Sequence, residues 1–150
     1  MSYKRYEIRK ASIGKWFDSY IIQTFTDVKL FGHLQKNHLN KSDVFLQKRC
    51  KEIKRNTSSF VGDEEEIRKM LISVILTHRE ELIEYLTDTE DIEVWEVRDS
   101  IVLPVTGKKY CVSLEHNWSD GALPCTEMVI ALKKNPQNPN LPVITSAYPI

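Results

Sequence analysis

The sequence predicts an α+β domain in which helices come first and a mostly antiparallel sheet follows. Three observations predict it. Apolar residues recur every three or four positions as far as Leu86. After Asp88 the period falls to two. The connections between the later apolar runs are too short to hold the crossover helices that a parallel sheet requires. A chain of 150 residues is about one domain's length and shows no internal repeat, so residues 1–150 read as a single domain.

Taken in order, residues 12–28 place Ile13, Trp16, Phe17, Tyr20, Ile21 and Phe25 on one helical stripe. Residues 30–39 read as a short second helix. Asn40-Lys41-Ser42-Asp43 supplies N-cap chemistry for a third, running to about Lys54 with Val44, Leu46, Cys50 and Ile53 as anchors. Thr57 to Val61 turns from polar to apolar and is assigned no element. Gly62-Asp63 followed by three glutamates opens a further helix, because acids suit the positive end of its dipole; Ile67, Leu71, Val74 and Ile75 form its buried face. Residues 80–86 add a helical turn or two. Strands are expected at Ile92 and Val94 and over residues 101–105, with a hairpin turn at Thr106-Gly107-Lys108-Lys109. Tyr110, Val112 and Leu114 then alternate with polar neighbours, residues 117–121 turn, and residues 126–132 form a strand. Residues 135–140 read as a loop that excludes strand, before a last strand over residues 141–148 that Pro142 interrupts early.

Composition narrows the class. With 41% hydrophobic and 28% charged residues the chain can bury a core. No run approaches the ~20 apolar residues of a membrane span, and the charged start does not resemble a secretory leader. The net charge of +0 hides an asymmetry: residues 1–61 hold 13 Lys or Arg against 5 Asp or Glu, and residues 62–150 hold 8 against 16. A basic front half can attract a polyanion while the whole stays near pI 6.9. Cys50, Cys111 and Cys125 are widely spaced and odd in number, which predicts reduced thiols rather than a disulfide scaffold.

Few chemistries have residues to support them. The chain lacks HExxH and CxxC pairs, GxSxG, GxGxxG and a Walker motif, so metal, serine-hydrolase and nucleotide-driven chemistry are not the reading, and no cofactor is expected. His38 stands out because Lys36, Lys41, Lys48, Arg49, Lys51, Lys54 and Arg55 surround it in sequence. A positive field discourages protonation of an imidazole, which suits a general base acting on a hydroxyl beside a phosphate. Arg49 lies eleven residues on. In one continuous helix the two would stand roughly 16 Å apart along the axis, too far for one phosphate, so only a chain break over residues 40–42 could bring them together. The local sequence leaves open that His38 is a surface residue and Arg49 part of a solvated basic face.

The run from Lys36 to Arg49, Lys-Asn-His-Leu-Asn-Lys-Ser-Asp-Val-Phe-Leu-Gln-Lys-Arg, resembles the His-to-Arg signature of bacterial RNase A-like toxins found at the C-termini of contact-dependent growth inhibition (CdiA) proteins. Thr57-Ser58-Ser59-Phe60 is similar to a segment that precedes a long acid-capped helix in that family. Val129-Ile130-Ala131-Leu132 and Val143-Ile144-Thr145-Ser146-Ala147-Tyr148-Pro149 are similar to its closing strands. The resemblance covers residues 31–149 and leaves residues 1–30 as a helical segment outside it.

The resemblance implies an RNase A-like (BECR-like) toxin nuclease. It would cleave RNA, with tRNA one candidate target, by metal-independent transesterification to 2′,3′-cyclic phosphate ends in the cytoplasm of a bacterial target cell. A cognate immunity protein would restrain it, and the delivery route is not visible in the chain. Carried over by position, His38 is the acid/base residue, Arg49 stabilises the phosphate and transition state, and Tyr148 contacts or orients the phosphate; Lys36, Lys41 and Lys48 would bind RNA. Where the family has a threonine two before the tyrosine, this chain has Ser146, with Thr145 beside it. Strand alternation puts Ser146 on the face of Tyr148 and Thr145 opposite unless a bulge intervenes, so Ser146 is favoured and Thr145 held in reserve. His33 reads as a second acid/base or as a helix-face residue. Trp95, Trp118, Tyr110 and Tyr85 could stack bases, but only Trp118, with a solvent-facing His116 near it, reads as exposed. The alternative from another class is a non-catalytic RNA-binding or inhibitor (immunity-type) module, and a metal-dependent nuclease is a second enzymatic one.

Overall fold

The computed structural model describes residues 2–26 and 36–150. Its elements run α1 (Tyr3–Thr26), α2 (Asp43–Ile53), β1 (Thr57–Val61), α3 (Glu64–Thr77), α4 (Arg79–Thr87), β2 (Trp95–Ser100) and β3 (Thr106–Tyr110). A 3-10 turn (Trp118–Asp120), β4 (Leu123–Cys125), β5 (Glu127–Asn135) and β6 (Asn138–Pro149) complete it. Residues 36–38 are helical, while the rest of the short helix expected over residues 30–39 lies largely outside the described residues. The α+β class holds, and the strands form two antiparallel three-stranded sheets, β1-β3-β4 and β2-β5-β6. Among the described residues no helix is long and apolar enough to cross a membrane.

The four-residue spacing of Ile13, Phe17, Ile21 and Phe25 gives α1 a continuous buried row. That row meets Ile67, Leu71 and Ile75 of α3, Leu82 and Leu86 of α4, and Met128, Ile130 and Leu132 of β5 in the main core. Burying each such side chain contributes about 1.5–3 kcal/mol relative to exposure. A smaller cluster of Leu46, Cys50 and Tyr110 ties α2 to the first sheet. Val44 and Ile53, expected as further anchors of α2, are exposed, because one narrow helix face covers that small cluster. Burial pushes the Cys125 thiol up to about 11, which leaves it protonated and inert at neutral pH.

Several strand assignments are corrected. Residues 106–109 are not a turn but most of β3, which pairs with β1 from Thr57↔Tyr110 to Val61↔Thr106. Residues 101–105 are the actual turn, closed by the Val105 N–H donating to the Val102 carbonyl at 3.1 Å. Val112 and Leu114 lie exposed beyond the end of β3. The chain there folds back through Trp118 Nε1, which donates to the Cys111 carbonyl at 2.9 Å. His116 is buried, not solvent-facing: its Nδ1 accepts from the Cys111 N–H at 3.0 Å and its ring stacks on Tyr110. The loop over residues 135–140 shrinks to a turn at Pro136 and Gln137, with Asn135 opposite Asn138. Its prolines are tolerated because β6 is an edge strand.

Gly107 is a glycine because of close approach rather than turn geometry. A Cβ there would lie 2.8 Å from Ile101 Cδ1, 2.9 Å from Pro149 Cβ and 3.1 Å from Cys125 Cβ. The Ile101 methyl can swing aside, but the other two atoms are held by the backbone. Gly107→Ala is therefore expected to lower stability by about 1–3 kcal/mol, read as a lower urea midpoint at unchanged m-value. An unchanged midpoint would show that β3 and the end of β6 do not meet this closely.

Candidate active site

The outer edge of β1, away from β3, positions His38. There the Phe60 carbonyl accepts from the Asn40 N–H at 2.8 Å, a short parallel bridge that sets Leu39 beside Phe60. The Asn40 side chain extends the pairing: its Nδ2 donates to the Gly62 carbonyl at 2.7 Å and its Oδ1 accepts from the Gly62 N–H at 2.9 Å. Asn40 has φ 50°, a left-handed conformation that asparagine tolerates better than most residues. The Lys41 N–H then donates to Ser59 Oγ at 2.9 Å, and Ser42 caps α2 by accepting from the Phe45 N–H at 3.1 Å. The break expected over residues 40–42 is thus a hydrogen-bonded corner between His38 and the helix carrying Arg49.

His38 itself is half-buried, and its Nδ1 lies 3.1 Å from the Ser58 carbonyl. A carbonyl only accepts, so Nδ1 carries a proton, and whenever the ring is neutral its lone pair is on Nε2. The ring centroid is 5.8 Å from that of Tyr148, at an interplanar angle of 35°. Residues from opposite ends of the chain therefore meet where β1 packs against β6.

A bulge in β6 decides what stands beside Tyr148. Ala131 pairs with Ser146 and Leu132 with Ile144, leaving Thr145 as the extra residue. Ile144 packs on the main core and Ala147 belongs to it, although they are three apart, so both intervening side chains lie on the other face with Tyr148. The sequence reading puts Thr145 on the opposite face unless a bulge intervenes, and a bulge does intervene. Thr145 Oγ1 donates to the Ala131 carbonyl at 3.0 Å, which commits its proton to the backbone. Ser146, like Tyr148, is half-buried.

Arg49 is also half-buried, on α2. Leu46 and Cys50 point into the sheet. Asp43 accepts from Lys108 Nζ at 2.7 Å, so that flank of the helix faces β3. At 100° per residue Phe45 and Arg49 lie on the opposite flank of the helix. No carboxylate among the described residues pairs with Arg49. The Lys108 ammonium beside Asp43 holds that carboxyl below its ordinary range.

Of the lysines singled out from sequence, Lys36 and Lys48 are exposed. Lys41 places its ammonium 5.3 Å from the centroid of the exposed Phe45 ring. His33 lies outside the described residues. Sequence reasoning missed Phe45, whose place on a polar helix flank beside Lys41 was the available signal. It also missed Ser58, which acts through its backbone and so leaves no signal. Trp118 is half-buried under Lys51, 5.5 Å from its ring. Trp95 packs on the main core, as does Tyr85 within it, and Tyr110 is buried in the smaller cluster.

No family model matches the sequence, and no curated protein matches it. A chain of the CdiA-CT/CdiI complex from Y. kristensenii 33638, known from its crystal structure, is similar in fold, with a TM-score of 0.60 at 20% identity. The likeness covers 79% of this chain and 98% of that one, so the α+β architecture described above is shared across almost the whole of that chain.

Proposed function

We propose that this chain is the toxin component of a contact-dependent growth inhibition system, a ribonuclease that cleaves RNA by metal-independent transesterification. The observation that carries the reading is the fixed imidazole of His38, with its proton on Nδ1 toward Ser58 and its ring beside Tyr148. With that tautomer, Nε2 takes the proton of a ribose 2′-hydroxyl as the oxygen attacks the adjacent phosphorus. The 5′-oxygen of the next nucleotide leaves and is protonated, and the strand ends in a 2′,3′-cyclic phosphate. Arg49 stabilises the charge that gathers on the non-bridging oxygens. Tyr148 and Ser146 orient the phosphate from the other side, and Lys36, Lys41 and Lys48 hold the flanking backbone.

The fold shared with a chain of a CdiA-CT/CdiI complex supports the assignment to such a system, as does the basic front half of the chain. A cognate immunity protein, complementary in charge to that half, is the partner this reading requires, and the cytoplasm of a target bacterium is where the RNA would be met.

Purified protein is expected to degrade RNA in EDTA and to leave 2′,3′-cyclic ends, identified by mass spectrometry of a short substrate. Loss of activity in EDTA would assign a metal-dependent nuclease instead. Intact RNA under every condition would assign the non-catalytic RNA-binding or immunity-type module.

A further inference from the structure

Sheet register carries the Tyr148 face of β6 across to β2. Tyr148 pairs with Val129 of β5, and Val129 pairs with Arg98 of β2. Ser146 likewise pairs with Ala131, and Ala131 with Glu96. Residues directly opposite one another point to one face of a sheet, so Arg98 stands in the row of Tyr148 and on its face. The alternate residues mark the other side. Ala147, Ile130 and Val97 form the next row and all lie in the main core, while Asp99 Oδ2 lies 3.3 Å from Nε2 of His78, between α3 and α4.

Two strand spacings separate the Tyr148 and Arg98 backbones, roughly 10 Å in all, and only the uncharged Val129 stands between them. Arg98 is exposed, on an edge strand. Its neighbours on this face include Glu96, two residues before it on β2, and Glu127, diagonally opposite on β5. Neither carboxylate, nor any other among the described residues, forms an ion pair with it. The guanidinium therefore keeps its fork of donors for an outside acceptor, and the fork matches a phosphate. Cations spaced along a surface are how proteins follow the backbone of a single strand. A strand held by one phosphate at Tyr148 carries its next phosphates a nucleotide away on either side, and the row from Tyr148 to Arg98 gives one of them a partner.

We propose that Arg98 binds a second phosphate of the RNA, beyond the one at His38 and Tyr148, so that the strand crosses β6, β5 and β2 in that order. The proposal rests on the ribonuclease reading for the place of the scissile phosphate. It makes the preferred substrate a single strand longer than a dinucleotide, and it puts a substrate contact in the acidic half of the chain, away from the basic run around His38. Binding of a 2′-O-methylated RNA hexanucleotide and of the matching dinucleotide to the intact protein tests it, because without a free 2′-hydroxyl neither can undergo transesterification. Arg98→Ala is compared with wild type and with Lys4→Ala, which removes the same charge from an exposed position on α1. Cleavage of unmodified RNA is assayed alongside.

Arg98→Ala is expected to weaken the hexanucleotide about tenfold and to make the slope of log affinity against log salt about 0.7 shallower, the share of one phosphate contact on a single strand. Lys4→Ala is expected to bind the hexanucleotide like wild type. The dinucleotide, which has one phosphodiester, is expected to bind wild type and Arg98→Ala alike. Hexanucleotide affinity unchanged in Arg98→Ala overturns the proposal, and the ribonuclease reading survives that result if wild-type protein still cuts RNA. An equal loss in Lys4→Ala overturns it by reducing the effect to net charge. A matching loss with the dinucleotide overturns it too, by placing the guanidinium on the scissile phosphate. Hexanucleotide binding that depends on Arg98 and not on Lys4, in a wild-type protein that cuts no RNA, upholds the phosphate contact and removes the ribonuclease reading instead.

Discussion

His38→Ala is expected to reduce single-turnover RNA cleavage by about 10²–10⁴-fold while leaving RNA affinity and the unfolding midpoint close to wild type. The substitution removes the ring, its bond to the Ser58 carbonyl and its contact with Tyr148. The corner that follows is held independently by the Asn40 and Lys41 bonds to β1, so the backbone stays in place. Cleavage measured on a labelled RNA, beside a filter-binding assay and a urea melt, separates the chemistry from the scaffold. Cleavage at the wild-type rate would remove His38 from the mechanism. Equal losses of cleavage and affinity would make it a binding residue.

Arg49→Lys is the second large expected effect, a fall of about 10²-fold in the same assay with the charge retained, deepening to about 10³-fold in Arg49→Ala. A guanidinium presents a rigid fork to two phosphate oxygens, whereas an ammonium presents a point charge on a flexible stem. Folding should be indifferent to either change, because Arg49 lies on the flank of α2 that turns away from the Leu46, Cys50 and Tyr110 cluster. The ratio of the two variants is the informative readout. If lysine restores the wild-type rate, Arg49 contributes charge to RNA attraction and not geometry to the transition state, and its effect should then fade as salt is raised.

The helices were readable because their apolar spacing is their cause: Ile13, Phe17, Ile21 and Phe25 face the core because they recur at helical period. β1 was not readable, since Thr57, Ser58 and Ser59 are buried yet polar. Thr57 Oγ1 donates to the Leu46 carbonyl at 2.7 Å and Ser59 Oγ to the Phe60 carbonyl at 2.9 Å, so a strand that satisfies its own hydroxyls looks like a loop. Gly107 misled for a related reason, as a glycine chosen for close approach carries the same letter as one chosen for a turn. Within the candidate site, His38 and Arg49 drew notice through charge and spacing, whereas Tyr148 was singled out only by resemblance. The bulge that turns Thr145 and Ser146 to one face follows from long-range register, which no local pattern records.

The Asn40 clip couples catalysis to colloidal behaviour. An unpaired strand margin is a template on which a second molecule can add, and here the chain covers that margin of β1 with the segment that also carries the imidazole. Whatever loosens the clip therefore unseats His38 and bares a sticky edge in one event. Inactivation and self-association should then rise together rather than separately.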